Sequence, residues 1–315
     1  MASAGWEEAC REIRGACGHP RRLGLLLAPT SPAERQQIRA AYRASFGEDL
    51  AAALRGNPLA AGSGQEDELR KLLYLWALEP AERDAVVARE AVEGGATVAG
   101  YRALVEVFTR RKQDQLFFTK QAYLARFRRN LDQDMVTEPS HPYQRLLVAL
   151  AASRKSHHDE PSHHIAKCDA RRLHDTKNAG AGSVVDEAVI LEMFSKRSIP
   201  QLRLAFCSYK HIYGHDYTKA SRPINCIMAS LLNDSVLRLS CNNVCLLQRS
   251  MQCAATDKRL VTRAILGSDD VGIDEIRSAF KSCYGRNLAD FIRESLPQSD
   301  YRDFLVAVAR GSAAS

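Results

Sequence analysis

Residues 273–311 read IDEIRSAFKSCYGRNLADFIRESLPQSDYRDFLVAVARG, and this stretch contains the pattern that decides the fold. Its two aromatic residues Phe280 and Tyr284 lie four positions apart and are followed by Gly285 and Asn287. Residues four apart share one face of a helix, so the two rings are expected to be buried together. Glycine suits the left-handed position after a helix, and Asn is a natural N-cap for the next helix. The pattern therefore predicts a helix, a glycine stop and a second, capped helix.

The same pattern occurs three more times in the chain, which is typical of a repeat architecture. The second copy carries Arg128 where the others carry glycine, at a position where a positive φ is expected, so that helix end is predicted to be strained or differently shaped. The three further copies are Tyr42-Phe46-Gly47-Asp49-Leu50, Tyr123-Phe127-Arg128-Asn130-Leu131 and Tyr209-Tyr213-Gly214-Asp216-Tyr217.

A second element, a stretch that is apolar nearly all round, recurs at residues 68–77, 142–151 and 300–309. Such a stretch predicts a buried helix that closes each repeat, although the third repeat has no evident copy. We find no alternating apolar and polar run bounded by turn residues that would require a sheet. The fold is therefore predicted to be all-α.

Composition limits the function classes. The 315 residues are 45% hydrophobic. The sequence contains no run of 18 apolar residues that is free of charged or strongly polar residues, so no membrane span is predicted. The first residues, MASAGWEE, show no secretory signal pattern, so a cytoplasmic location is expected. A net charge of +7 and a pI near 9.0 favour an anionic partner, such as phospholipid, nucleic acid or an acidic protein face.

Nine cysteines are scattered from Cys10 to Cys283 without C-x-x-C spacing. A reducing compartment would keep them as thiols, and we expect most of them to be core residues.

The stretch Ile273–Gly311 closely resembles the final repeat of the annexin family, and Glu34–Leu54, ERQQIRAAYRASFGEDLAAAL, resembles the first. The likeness is to a plant-type annexin. It implies four repeats of about five helices each that form a curved disc, with calcium loops on the convex face that bridge to phospholipid. The predicted repeats are 6–78 with a degenerate start, 81–153, 163–235 with an atypical end from 221, and 240–312 with an atypical start.

The resemblance also implies where calcium would bind: at a Gly-x-Gly-Thr turn whose carbonyls act with a carboxylate about forty residues later. Calcium takes roughly 6–8 oxygen ligands, so lipid phosphate and water would complete such a site. The second loop, Gly94-Gly95-Ala96-Thr97, with Glu138 as its carboxylate, is a degenerate candidate. The third loop, Gly180-Ala181-Gly182-Ser183, matches best in glycine spacing but has no acid at that distance; its predicted lipid-facing residues are Ala179, Ala181 and Ser183.

The other two loops depart further from that motif. The first loop, Ala16–Pro20, has no Gly-x-Gly, and no calcium is expected there. The fourth loop, Cys253-Ala254-Ala255-Thr256, has lost both glycines, and its nearest carboxylate is Glu294.

Two further segments invite separate hypotheses. Residues 156–164 hold four histidines and two acids, which predict a solvated connector in preference to an adventitious Zn²⁺ or Cu²⁺ site.

Residues 221–248 resemble neither the closing helix of the third repeat nor the opening helix of the fourth. A shifted reading frame or altered splice choice would produce such a segment, and we expect it to be mobile and to lower stability.

The sequence thus predicts calcium-dependent binding to anionic phospholipid by a peripheral protein that is cytoplasmic and reversibly at membranes. The alternative is calcium-independent electrostatic binding to anionic lipid or an acidic partner, with the calcium sites lost. A nucleic-acid partner is disfavoured, and self-association on the membrane is left open. No enzyme is expected, because the closest phosphate-loop spacing, Gly95 to Gly100, is followed by Tyr101-Arg102 in place of Lys and Ser or Thr.

Overall fold

The structure is a computed structural model. Every regular element within the described part of the chain is helical, which confirms the all-α prediction. None of these helices is long and apolar enough to cross a membrane. The described residues are 2–55, 64–95, 97–136, 144, 147–148, 150–151, 160–178, 189, 192–193, 195–215, 217, 258–266 and 272–311.

The chain divides into two compact units. The first unit joins Met1–Pro80 to Asn242–Ser315, and the second is Ala81–Cys241. The first contains α1 (Ala2–Ala16), α2 (Pro20–Leu27), α3 (Pro32–Phe46), α4 (Leu50–Arg55), α5 (Gly64–Ala77), α12 (Lys258–Leu266), α13 (Ile273–Tyr284), α14 (Leu288–Ser295) and α15 (Asp300–Arg310). The second contains α6 (Pro80–Glu93, which begins at the boundary), α7 (Val98–Arg110), α8 (Gln113–Phe127), α9 (Leu131–Asp134), α10 (His163–Asn178) and α11 (Ile199–Tyr213).

The aromatic pairs lie where the repeated pattern predicts them. Each pair closes the last turn of a helix with its ring centroids 4.8–5.0 Å apart. The first aromatic of each pair is almost fully buried, but the second is only half-buried because it lies nearer the surface end of the helix, so the expectation that both rings are buried is wrong for the second ring. Gly47, Gly214 and Gly285 then adopt left-handed φ values of 70°, 76° and 65°. Arg128 adopts the same region, with φ 56°, so the strained helix end predicted there is confirmed.

Capping follows the prediction less closely. The Asn130 side chain accepts hydrogen bonds from the backbone N–H groups of Asp132 and Gln133 and caps α9. Asn287 does not cap α14, because its side-chain amide donates to the Asp290 carboxylate instead, over 3.3 Å. The expectation of an Asn cap is therefore wrong at that helix.

The core of the first unit forms around the two predicted closing helices, α5 and α15. Leu73 of α5 and Leu305 of α15 are fully buried. The Trp76 ring meets Phe304 edge-on with centroids 5.7 Å apart, and its indole N–H donates to the carbonyl of Leu27 over 3.1 Å. These contacts confirm that the apolar stretches at 68–77 and 300–309 are buried helices.

The second unit has its own core. The buried apolar side chains of α7 and α8 are joined by those of α10 and α11, and this cluster includes Val105, Tyr123, Leu173, Leu202 and Tyr209. Tyr209 and Tyr217 lie 5.4 Å apart edge-on, so aromatic packing continues past the end of α11.

The cysteine prediction is wrong for the residues that the structure describes. Only Cys10 among them is buried, while Cys17 is half-buried and Cys168, Cys207 and Cys283 are exposed; all are free thiols. The three exposed ones lie on outward faces of α10, α11 and α13, where a small side chain has no core neighbour to meet.

The segment 221–248 lies outside the described residues. The predicted repeat boundaries also stay predictions, since the two compact units do not divide the chain at every one of them.

Candidate functional site

The second loop joins α6 to α7 in a tight turn. Gly94 and Gly95 donate backbone hydrogen bonds to the carbonyls of Glu90 and Val92, over 2.9 and 3.3 Å, and so close α6. Gly95 has a φ of +73°, which an L side chain rarely adopts. The carbonyl of Gly95 accepts from the N–H of Thr97 over 2.7 Å. The turn thus depends on glycine at position 95.

Thr97 begins α7 as its N-cap. Its hydroxyl oxygen accepts a hydrogen bond from the backbone N–H of Gly100 over 3.2 Å, as expected for a Thr in this place. Ala96 lies outside the described residues. The threonine of the predicted turn therefore has a structural role as the cap of the helix that leaves the loop.

Gly100 is a residue of this site that the sequence analysis missed. A Cβ at this position would lie 2.9 Å from the carbonyl oxygen of Ala91 and 3.2 Å from the Thr97 hydroxyl. Only glycine lets the first turn of α7 come this close to the last turn of α6. In the sequence, Gly100 enters only as the second glycine of the Gly95–Gly100 phosphate-loop spacing, and that spacing does not report the approach of two helices.

An ionic cluster around a buried carboxylate lies beside this loop; we call it the Asp134 cluster, made of Arg89, Glu93, Tyr123, Arg129 and Asp134. The Asp134 side chain is 4% exposed and accepts hydrogen bonds from Arg89 Nη1 at 3.1 Å and the Tyr123 hydroxyl at 2.7 Å. Arg129 Nη2 lies 2.7 Å from the same carboxylate, and Arg89 Nε donates to Glu93 Oε1 over 2.7 Å. Charge-assisted bonds of this kind are the stronger hydrogen bonds of proteins.

The electrostatics of the cluster fix its protonation. Burial opposes ionisation of Asp134, but hydrogen bonds from Arg129 and Tyr123, together with the Arg129 and Arg89 charges, hold its pKa below the usual value. Burial raises the pKa of Tyr123 to about 12, so its hydroxyl remains a neutral donor. At neutral pH the cluster therefore holds a charged carboxylate between two guanidinium groups.

The Asp134 cluster ties the loop to a second segment. Glu93 precedes Gly94 directly, and Asp134 ends α9, four residues before Glu138. The cluster thus connects the end of α6, where the glycine turn begins, to the helix that leads toward the predicted carboxylate. Glu138 itself lies outside the described residues.

The first loop differs in backbone geometry. Gly18 does not adopt a positive φ, and the N–H of His19 donates to the carbonyl of Ala16 over 2.8 Å. The chain then enters α2 directly at Pro20. This turn lacks the left-handed glycine of the second loop.

Of the remaining predicted site residues, only Glu294 lies within the described part of the chain. Gly180 and Gly182 of the third loop, with Ala179, Ala181 and Ser183, lie outside the described residues, as do Cys253, Ala255 and Thr256 of the fourth. Glu294 is described, on α14, where it forms an ion pair with Arg286. The structure therefore brings together only Gly94, Gly95 and Thr97 of the predicted set.

Across the described ranges, no three His, Cys, Asp or Glu side chains come together as a group that could hold a metal ion. Of the histidine-rich segment 156–164, the described His164 lies beside Cys168, with Nε2 and Sγ 3.9 Å apart on an exposed helix face.

Comparison with known proteins finds annexins among the sequence relatives of this chain. No protein-family model matches the chain. Human annexin A7 is 27% identical over 288 residues, 90% of this chain, which spans 56% of that protein's length. Human annexin A13 is 28% identical over 289 residues, covering 90% of this chain and 87% of its own. Annexin Gh1 of Gossypium hirsutum is 31% identical over 196 residues, 61% of this chain and 59% of its own.

Solved structures show the same fold. Annexin III superimposes with a TM-score of 0.76 at 25% identity, covering 97% of this chain and 94% of its own. Calcium-bound annexin (Sm)1 superimposes with a TM-score of 0.68 at 21% identity, covering 96% of this chain and 90% of its own. These structures share the repeated helical architecture described above.

Proposed function

This chain is a member of the annexin family, and from that premise we propose that it binds anionic phospholipid membranes reversibly, as a peripheral protein, through Ca²⁺ held at its second loop. The observation that carries the proposal is the left-handed Gly95 between α6 and the Thr97-capped α7. This backbone conformation turns the chain between two helices without the strain that a side chain would add. The role is one of binding, and no catalytic residue is assigned.

The donor set of the second loop suits a hard cation. Calcium prefers oxygen ligands, and the loop offers backbone carbonyls, of which that of Gly95 has one lone pair engaged by Thr97. Glu138 would add the carboxylate, and lipid phosphate and water would complete the coordination. The Asp134 cluster supports this arrangement, because it ties the helix before Gly94 to the helix that leads toward Glu138.

The other loops are assigned by their sequence. We propose the third loop, with Gly180 and Gly182, as a weaker calcium site whose neighbours Ala179, Ala181 and Ser183 face lipid. The fourth loop, with Cys253, Ala255, Thr256 and Glu294, is proposed to be silent. The ion pair of Glu294 with Arg286 favours this, since it occupies the nearest carboxylate.

The test is co-sedimentation with phosphatidylserine vesicles across a calcium titration. Glu138→Gln removes the carboxylate, and we expect it to raise the calcium needed for half-maximal binding at least about tenfold. Gly95→Ala places a side chain at a φ of +73°, and the expected shift is about fivefold, from a strain of about 1 kcal/mol.

Each variant has a matched control. Gly18→Ala changes a glycine whose Cβ would meet nothing within 4 Å and whose φ is not positive, so its calcium curve should match the native chain. Glu294→Gln should likewise change nothing. If the controls and the second-loop variants behave alike, calcium does not bind through this loop.

A second candidate, calcium-independent electrostatic binding to anionic lipid or an acidic partner, is favoured by the net charge of +7 and by the first loop, which lacks a left-handed glycine. Full vesicle binding in a chelator would select this candidate over the calcium mechanism.

A further inference from the structure

One face of α8 exposes large apolar side chains to solvent. Phe117 and Phe118 are 58% and 59% exposed, and Leu124 is 46% exposed. The two Phe rings meet edge-on with centroids 5.7 Å apart. The opposite face of the same helix is in the core, through Leu116, Thr119 and Tyr123. The helix already packs one apolar face against the core of its unit, so a second apolar face on the solvent side is not required by the fold. Exposed apolar surface of this kind marks an interaction site.

The exposed residues form a continuous seam along the helix. Positions 114, 117/118, 121 and 124/125 of α8 are spaced three or four apart, which places them on one side and is the spacing of paired helices, and Arg128 follows directly after the helix as its C-cap. Asp114 and Arg128, which mark the two ends of this seam, are both exposed. Neither has an ion pair with another described residue.

The two ends of the seam are complementary in charge, and the centre is Gln121. If a second copy of α8 lies antiparallel with a twofold axis at Gln121, residues equally far from Gln121 face each other. Asp114 then faces Arg128 of the second copy, and Phe118 faces Leu124. Each such contact occurs twice. We propose that this chain self-associates as an antiparallel pair of α8 helices, with Phe117, Phe118 and Leu124 at the centre and two Asp114–Arg128 ion pairs at the ends.

The backbone at Arg128 supports the assignment. The corresponding positions in the other three repeats are Gly47, Gly214 and Gly285, all left-handed, whereas Arg128 holds the same conformation with a side chain. Among the described residues Arg128 has no ion-pair partner, and its left-handed conformation adds strain. In the proposed dimer it supplies the cation at each end of the seam.

The proposed contact face is separate from the side of α8 that adjoins the second loop. Tyr123 joins the Asp134 cluster beside that loop and is buried, whereas Phe117, Phe118 and Leu124 are exposed on the other side of the helix. Self-association through the exposed side is therefore expected to leave the second loop uncovered. A single pair of helices is smaller than a standard protein interface, so the dimer is expected to be weak in solution.

The experiment uses the full chain and two charge reversals, with sedimentation velocity as the readout. Asp114→Arg would place Arg opposite Arg128, and Arg128→Asp would place Asp opposite Asp114, so each variant alone should dimerise at least about tenfold more weakly than the native chain. Mixed in equal amounts, the two variants should form a heterodimer with restored affinity, since every end contact again joins opposite charges. Arg11→Asp, an exposed reversal on α1, is the control and should dimerise like the native chain.

Association that is restored in the mixture cannot be attributed to folding, because the mixture contains the same two variant chains that associate weakly when each is alone. A native chain that stays monomeric at its highest soluble concentration and is not cross-linked on phosphatidylserine vesicles overturns the proposal. So does a mixture that associates no better than either variant. If Phe117→Ser with Phe118→Ser weakens vesicle binding in a monomeric native chain, the face contacts lipid and the dimer is wrong.

Discussion

The carboxylate of Asp134 accepts hydrogen bonds from Arg89, Tyr123 and Arg129. These residues come from α6, the α8 helix and the turn that follows it, so one side chain joins several segments of the second unit. Removing one partner of a buried ion pair costs more than the pair contributes, because the remaining charges lose their solvation and their partner together. Asp134 thus links α6, the helix that precedes the second loop, to the end of α8 and the turn after it.

Asp134→Asn should therefore lower the free energy of unfolding by about 2 kcal/mol at neutral pH. This is less than a fully buried pair would lose, since Arg129 is more than half exposed. The measurement is urea unfolding. The control is Asp132→Asn, whose half-buried pair with Lys120 is more open to solvent than Asp134 and should contribute about 1 kcal/mol or less.

The same variant makes a prediction for pH. The folded pKa of Asp134 lies below the usual 3.8, so the native carboxylate contributes its stability above that pH and loses it as pH falls through the folded pKa. The gap in stability between native chain and Asp134→Asn should be constant near neutral pH and shrink below pH 3.8. A gap that persists in acid would show that Asp134 stabilises the fold by packing and not by charge.

Sequence reasoning at the residue scale found local features and missed distant ones. The left-handed conformation of Arg128 was predictable, because the other three repeats have glycine at the same position, and glycine is typical of a positive φ. The Asp134 cluster was not, because Arg89, Tyr123 and Asp134 are far apart in sequence and nothing in their spacing says that they meet. Asn287 was expected to cap α14, but its side-chain amide donates to the Asp290 carboxylate, a contact that depends on side-chain direction.

At the scale of elements, α6 and α7 show how closely two helices must approach to form the second loop. Gly100 lies in the first turn of α7 against the carbonyl of Ala91, and Gly95 turns the backbone between them. The apolar runs of α5 and α15 predicted burial correctly because a helix without a polar face must be covered. Contacts such as Gly100 to Ala91 depend on the distance between helices, which periodicity does not report.

Gly100→Ala tests this approach. Alanine gains about 1 kcal/mol in helix propensity, but its Cβ would lie 2.9 Å from a backbone oxygen that cannot turn aside. Steric strain should win, with a net loss of about 1–2 kcal/mol in urea unfolding and a higher calcium requirement in vesicle binding. Gly15→Ala on α1, where a Cβ meets nothing within 4 Å, is the control and should be neutral or stabilising. If Gly100→Ala stabilises the fold as Gly15→Ala does, then α7 can move away from α6 without a loss of stability.

At the scale of the whole molecule, the two proposed modes of membrane binding rely on different forces. A net charge of +7 would attract anionic lipid whether or not calcium is present, with each Lys or Arg near the surface contributing about 1 kcal/mol. Calcium held between loop oxygens and lipid phosphate would act over bond distances. The two contributions therefore differ in range, and salt separates them, because the screening length falls from about 10 Å at 0.1 M to about 3 Å at 1 M.

Vesicle binding measured against NaCl should therefore follow two different curves. In chelator, any binding comes from the surface charge of the chain, and it should be lost by about 0.5 M salt. In saturating calcium, binding should persist at that salt, because inner-sphere coordination and direct phosphate contact are screened much less than separated charges. Glu138→Gln should move the calcium curve toward the chelator curve without changing the latter. If both curves fall together in the native chain, its membrane affinity comes from net charge, and the second loop is a turn that has kept its glycine for the fold alone.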